Sequence, residues 1–220
     1  MKREILQTFD GSTTIHLPDW NESYHSKHGA IQEAYHVFIK NGLSLFQGNS
    51  ISILEIGFGT ALNTFITFLE SKKSLQTIGY VGVEAYPISA EEVLQMNYVS
   101  ELDAENERPI FELMHQSNWE EKTVISSNFT LTKRKQFFGE ISDENQFDLI
   151  YFDAFGYRVQ PELWGTEIFK KMYKALKANG VLVTYAARGV VKRSMIEVGF
   201  SVEKLAGPLG KREMFRATKK

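Results

Sequence analysis

The sequence predicts a doubly wound α/β sheet, and three observations carry that prediction. From about residue 50 onward, short apolar strands alternate with segments of helical periodicity, the pattern of a mainly parallel sheet covered on both faces. The first of these strands runs into a glycine turn, Gly57-Phe58-Gly59-Thr60-Ala61, which opens the first helix. The last two strand-like segments follow each other without a helix between them, which predicts an antiparallel pair at one sheet edge.

The elements follow in order. Ile5–Phe9 and Thr13–Leu17 flank Asp10-Gly11 and form a hairpin that ends at Pro18-Asp19. A helix over about 29–40 stops at Asn41-Gly42. Residues 1–45 precede the alternating pattern and read as an N-terminal extension; residues 46–220 form the main domain. There, Ile51–Ile56 is a strand, and Leu62, Phe65, Ile66 and Leu69 recur at helical spacing. Tyr80–Glu84 is a second strand, about 88–98 and 105–116 are helical, and Asn128–Thr132 is a third strand. Phe147–Phe152 is a buried strand ending at Asp153. Pro161 to about Leu176 is helical with Asn179-Gly180 as its stop, and Val181–Tyr185 is a strand. Ser201–Leu205 and Glu213–Ala217, joined by Gly207-Pro208-Leu209-Gly210, make the edge pair.

Composition narrows the function. The chain has 220 residues, 43% apolar and 24% charged, with a net charge of −2, so no strong field announces a nucleic-acid or membrane partner. It has no cysteine, which excludes disulfides, thiolate metal sites and a cysteine nucleophile. Apolar runs are too short to span a bilayer, and Met1-Lys2-Arg3-Glu4 leads into no signal-type segment; a cytoplasmic address is expected. His25 and His28 sit three apart with no further ligands in a clear spacing, so no metal is expected.

Ligands of doubly wound sheets bind at the carboxyl ends of the strands. Three carboxylates fall there: Glu55 before the glycine turn, Glu84 at the end of the second strand, and Asp153. Glu84 is placed to accept both hydroxyls of a ribose. A dinucleotide fingerprint wants glycine or alanine where Leu62 stands. Glu55, two residues before Gly57, repels a pyrophosphate but suits the cationic tail of S-adenosylmethionine. The expected cofactor contacts are Glu55, Gly57, Phe58, Gly59, Asn63, Glu84 and Ala85. Asp153 is the candidate catalytic group, to orient a nucleophile or take its proton. Phe155 and Trp164 offer rings to stack on a planar base, and Trp164 reads equally well as core.

Several blocks together support a closer resemblance. Leu54–Asn63, Asp153-Ala154-Phe155 with Pro161–Trp164, Thr184–Arg193 with Gly199-Phe200, and Gly207–Met214 resemble, in order and spacing, the motifs of the MnmC-like tRNA methyltransferases. Tyr24-His25-Ser26 and Glu33–Ile39 are weaker matches. The resemblance implies a Rossmann-like class I methyltransferase sheet. It implies methyl transfer from S-adenosylmethionine to the exocyclic amine of 5-aminomethyluridine or its 2-thio form at the tRNA wobble position. It also implies a stand-alone form without the flavin oxidoreductase domain that some relatives carry. The substrate contacts expected on this basis are Tyr24, Phe155, Arg158, Arg193, Lys211 and Arg212. Two departures stand out: Ala61 occupies a position that is often glycine, and Lys133-Arg134-Lys135 stand where methyltransferases often carry an acid for the adenine amine. A small-molecule methyltransferase, or a non-catalytic nucleotide-binding module, are the competing readings.

Overall fold

The computed structural model describes residues 2–47, 50–74 and 76–220. Met1, and Gly48-Asn49 near the expected boundary between extension and main domain, lie outside the described residues.

An eight-stranded sheet organises the chain. Its strands are β4 (Ser50–Ile56), β5 (Thr77–Val83), β6 (Lys122–Ser126), β7 (Phe129–Arg134), β8 (Phe147–Phe152), β9 (Leu176–Thr184), β10 (Phe200–Ala206) and β11 (Glu213–Lys219). Their spatial order is β10-β11-β9-β8-β4-β5-β7-β6. The five central strands pair in parallel. The expected antiparallel pair is present, with β11 inserted between β10 and β9. A second antiparallel strand, β6, closes the other edge and was not foreseen. Chain order runs outward in opposite directions from the β4–β8 junction, which makes that junction the switch point where such sheets bind ligands.

Side-chain alternation assigns the two faces. Ile51, Ile53, Leu149 and Tyr151 join one core with α2 (Leu62–Ser74) and the helix written here as α5 (Arg108–Gln116). Between α2 and α5 lie the short α3 (Ala90–Val93) and α4 (Tyr98–Glu101). Leu54, Ile56, Ile150 and Phe152 face the opposite core, with α6 (Thr166–Ala175) and α7 (Gly189–Glu197). By this period-two rule Glu55 must point to the α2 side.

The N-terminal hairpin forms as expected: β1 (Glu4–Gln7) pairs with β2 (Thr13–Leu17), and a short β3 (Glu22–Ser23) adds to β2. Helix α1 (Ala30–Ala34) continues as a π-helical segment, Tyr35–Lys40. Ile15, Ala30, Val37 and Phe38 pack into the same core as β4 and α2, so the extension shares the interior of the main sheet.

Two expectations need correction, and one element is new. The segment expected to be helical over about 88–98 holds only α3 before a non-helical stretch. Asn179-Gly180 does not stop a helix: α6 ends at Ala175, because Leu176 is fully buried and pairs with Phe147. Asn179 instead takes a φ of 62° inside β9, at a register irregularity. Helix α7, which the sequence reading left unassigned, fills the space between β9 and β10.

Trp164 settles as core. It is fully buried, its ring meets Phe152 at 5.0 Å, and its Nε1 donates to the Phe155 carbonyl at 2.8 Å. Trp164→Ala is therefore expected to cost about 3–5 kcal/mol of unfolding free energy, measured by urea denaturation; a loss below about 1 kcal/mol would contradict this packing role.

Candidate active site

A cavity of about 1310 Å³ opens at the carboxyl ends of β4, β5 and β8. The glycine turn forms its floor. Gly57 (φ 91°) and Gly59 (φ 49°) adopt left-handed conformations, which glycine adopts without a Cβ penalty. A Cβ on Gly57 would lie 2.6 Å from the Asp153 carbonyl oxygen, so the turn after β4 can pass that close to the loop after β8 only as glycine. Ala61, at the position often taken by glycine, also has a positive φ, 60°; the resembled motif prefers glycine there for a backbone reason.

Glu84 ties this turn to the end of β5. Its Oε2 accepts from Gly59 N at 3.1 Å and its Oε1 from Tyr86 N at 2.9 Å. Each oxygen keeps acceptor capacity, and the residue borders the cavity beside Ala85 and Phe58. Phe58 is buried against Gly82, where a Cβ would sit 2.4 Å from its ring.

Glu55 does not border the cavity, in contrast to the direct cationic contact expected from sequence. It is fully buried under α2, accepting from Asn63 Nδ2 at 2.9 Å and Thr64 Oγ1 at 3.0 Å. Asn63 does border the cavity, and the same Nδ2 donates to Asp153 Oδ2 at 2.9 Å. One amide therefore bridges two carboxyl groups. Burial pushes Glu55 up to about 8 and Asp153 up to about 7; for Asp153 the nearby Glu33 charge adds to the rise, against the Asn63 hydrogen bond and Lys211.

The outer wall comes from the extension. Tyr24 packs over Gly59 and meets Phe155 edge-on at 5.0 Å; Trp20 meets Phe155 at 5.6 Å. Burial raises the Tyr24 hydroxyl well above its ordinary value, so it stays a neutral donor. Arg3 crosses to the far rim, donating to Tyr86 O at 2.9 Å and pairing with Glu92 at 3.0 Å. His25 hydrogen-bonds Thr14 Oγ1 at 3.1 Å, and burial lowers it to about 4, which keeps the ring neutral. Sequence reasoning missed Arg3, Trp20 and Glu92 at this site; no local pattern marks them. No group of three or more metal-ligating side chains occurs among the described residues. No helix among them is long and apolar enough to cross a membrane.

The basic segment after the third strand is spoken for in part. Lys133 lies within β7, nearly fully buried, donating to His115 O at 2.6 Å, and burial lowers it to about 8. Arg134 pairs with Asp143 at 2.7 Å. Lys135 borders the cavity with Phe137 and Phe138.

The substrate residues expected from the resemblance divide. Tyr24 and Phe155 border the cavity. Arg158, Lys211 and Arg212 line a neighbouring recess. Arg193 is exposed on α7 and lines neither. Lys211 is engaged by Glu33 and lies 3.8 Å above the Tyr185 ring.

Comparison with known proteins agrees with this geometry. Residues 119–220 match the profile of a family described as S-adenosyl-L-methionine-dependent methyltransferase. The matched segment contains β8, with Asp153 at its end, and the antiparallel edge pair. It is 28% identical to the tRNA 5-methylaminomethyl-2-thiouridine biosynthesis bifunctional protein MnmC of Burkholderia multivorans, over 94% of this chain and 33% of that protein. It is 25% identical to the protein of the same name from Hydrogenovibrio crunogenus, over 97% of the chain and 33% of that protein. The chain thus spans about a third of the length of these relatives. The crystal structure of MNMC2 from Aquifex aeolicus superposes with a TM-score of 0.78 at 23% identity, covering 100% of this chain and 71% of that one, a likeness of fold.

Two outcomes test the site. Glu84→Ala is expected to weaken adenosylmethionine binding about tenfold or more by calorimetry; unchanged affinity would remove Glu84 from the cofactor site. Glu55 gives a pH signature. Its folded value of about 8 lies above the ordinary carboxylate value of 4.5, so the folded state holds a proton that the unfolded state releases between these values. Its stabilising contribution is fully present below the lower value and lost as pH rises through the upper one. Glu55→Gln should therefore flatten the fall of stability between pH 5 and pH 8, followed by urea denaturation at several pH values. An identical slope in both proteins would place the proton elsewhere.

Proposed function

We propose that the enzyme methylates the exocyclic amine of 5-aminomethyluridine, or its 2-thio form, at the wobble position of tRNA. The carrying observation is the placement of Asp153. Its carboxyl group borders the cavity between the glycine turn and the rings of Tyr24 and Phe155. A cofactor held on the turn and a planar base held against the rings would then meet at this carboxylate. The names of the relatives, which concern 5-methylaminomethyl-2-thiouridine in tRNA, support the same substrate.

The residues present fit adenosylmethionine. Glu84 offers acceptors for a ribose, and the Asn63 Oδ1 atom is buried without a donor at the cavity wall; an unpaired buried acceptor of this kind is costly and suits the ammonium of a methionine tail. Gly57, Phe58, Gly59, Asn63, Glu84 and Ala85 would hold the cofactor, with Glu55 acting through Asn63. Bound, it supplies an electrophilic methyl group on a sulfonium.

The protein's part is to present a neutral amine. An ammonium has no lone pair, so a proton must leave before or during attack. Asp153, at about 7, is balanced between its two protonation states near neutral pH, which suits a group that takes a proton and later returns it to water. Its oxygen also fixes the nitrogen's position, and orientation of that kind is worth several kcal/mol. Tyr24 and Phe155 would grip the pyrimidine. We further place the division between extension and main domain near residues 45–46, and the enzyme's work in the cytoplasm, where tRNA is modified.

Asp153→Asn preserves shape while removing the proton acceptor. Its kcat is expected to fall about a hundredfold or more with little change in tRNA affinity, measured on aminomethyl-modified tRNA with nucleoside mass spectrometry of the product. Full turnover by this variant would reduce Asp153 to a turn residue. Absence of methylated wobble uridine with the wild-type protein would overturn the substrate assignment.

A further inference from the structure

We propose that the recess beside the active cavity is a phosphodiester site for the RNA strand carrying the target nucleotide, clamped by Arg188 and Arg212. The inference rests on the tRNA reading above. The recess measures about 470 Å³. Four cations and two carboxylates line it: Arg158, Arg188, Lys211, Arg212, Glu22 and Glu213.

Most of these charges are already satisfied within the protein. Arg158 donates to the carbonyls of Trp20 and Asn21 and pairs with Glu22 at 3.2 Å. Lys211 is held by Glu33, and Glu213 by Lys204 at 3.1 Å. That leaves Arg188 and Arg212. Both are exposed, and neither has a carboxylate partner among the described residues. The recess thus presents two uncompensated guanidinium groups on a concave surface whose own acids are neutralised. Planar guanidinium forks match phosphate oxygens. The Arg188 guanidinium carbon lies 5.5 Å from the Tyr157 ring centroid, a cation–ring contact within the favourable range.

The recess is also correctly placed. A single loop runs past both openings: Asp153, Ala154 and Phe155 border the cavity, and Gly156, Tyr157 and Arg158 border the recess. Phe155 and Arg158 are three residues apart, about 11 Å at full extension. The recess that Arg188 and Arg212 line thus adjoins Phe155, within reach of a phosphate flanking a base that rests against that ring. Arg158 and Lys211 are then structural ties of the wall rather than RNA contacts.

The test is binding of an anticodon stem-loop RNA to the full chain at several salt concentrations, with Arg188→Gln/Arg212→Gln against wild type. The double variant is expected to lose affinity at least about tenfold, and its log–log salt slope to become shallower by about 0.7 for the one single-stranded phosphate no longer neutralised. Arg158→Gln should leave that slope as it is. Calorimetry with adenosylmethionine verifies the fold of each variant; should the double variant fail to fold, the two single variants carry the same comparison. Unchanged RNA affinity and slope would overturn the proposal. So would a calorimetric titration in which inorganic phosphate binds wild type and not the variant while RNA binding stays the same, because the recess would then serve a free phosphate. If the arginines control RNA binding but aminomethyl-tRNA is not methylated, the recess stands and the amine substrate falls.

Discussion

The amide of Asn63 is the interaction on which the rest of the site depends. It reaches from the first turn of α2 to Glu55 at the end of β4 and to Asp153 just past β8, with 2.9 Å on each side. The backbone repeats the constraint at Gly57, which approaches the Asp153 carbonyl so closely that no side chain fits. Two neighbouring strand ends are thereby clamped at the place where the sheet reverses its winding. Clamping brings two acids onto one donor in a dry setting, where both cannot ionise cheaply. Burial is the first cause of the rise in both acids, and the Asn63 hydrogen bond works against it in each.

Around this floor, the wall is borrowed. The sheet supplies the glycine turn and the carboxylates, while Tyr24, Trp20, His25 and Arg3 come from the extension. The cavity is therefore completed by a segment that precedes the alternating strands, set against the loop after β8 that carries Asp153 and Phe155.

The legible part of the site was the local part. Gly57, Gly59, Glu84 and Asp153 each lie within or beside a strand whose end the sequence pattern marks, so strand-turn-helix logic places them without long-range information. Glu55 is found at the strand end the sequence marks, and counting alternation from Ile53 puts it on the α2 side, behind Asn63. Arg3 was out of reach, since its partners Tyr86 and Glu92 are more than 80 residues away. Two elements were missed for physical reasons of their own. β6 is an edge strand with Val124 68% exposed and no buried stripe to read, and α7 opens on Gly189-Val190-Val191, poor helix formers held by tertiary packing.

The contact between Lys211 and Glu33 joins positions 178 residues apart. Glu33 belongs to the first helix of the extension, and Lys211 lies in the loop just before the final strand. Closing so long a loop is among the slower steps a chain of this size undertakes. During synthesis the glycine turn and Glu84 emerge well before the lysine that tempers Asp153. The turn and its acid are thus in place on the chain before the charge that tempers Asp153, whose electrostatic setting is complete only when Glu33 and Lys211 meet.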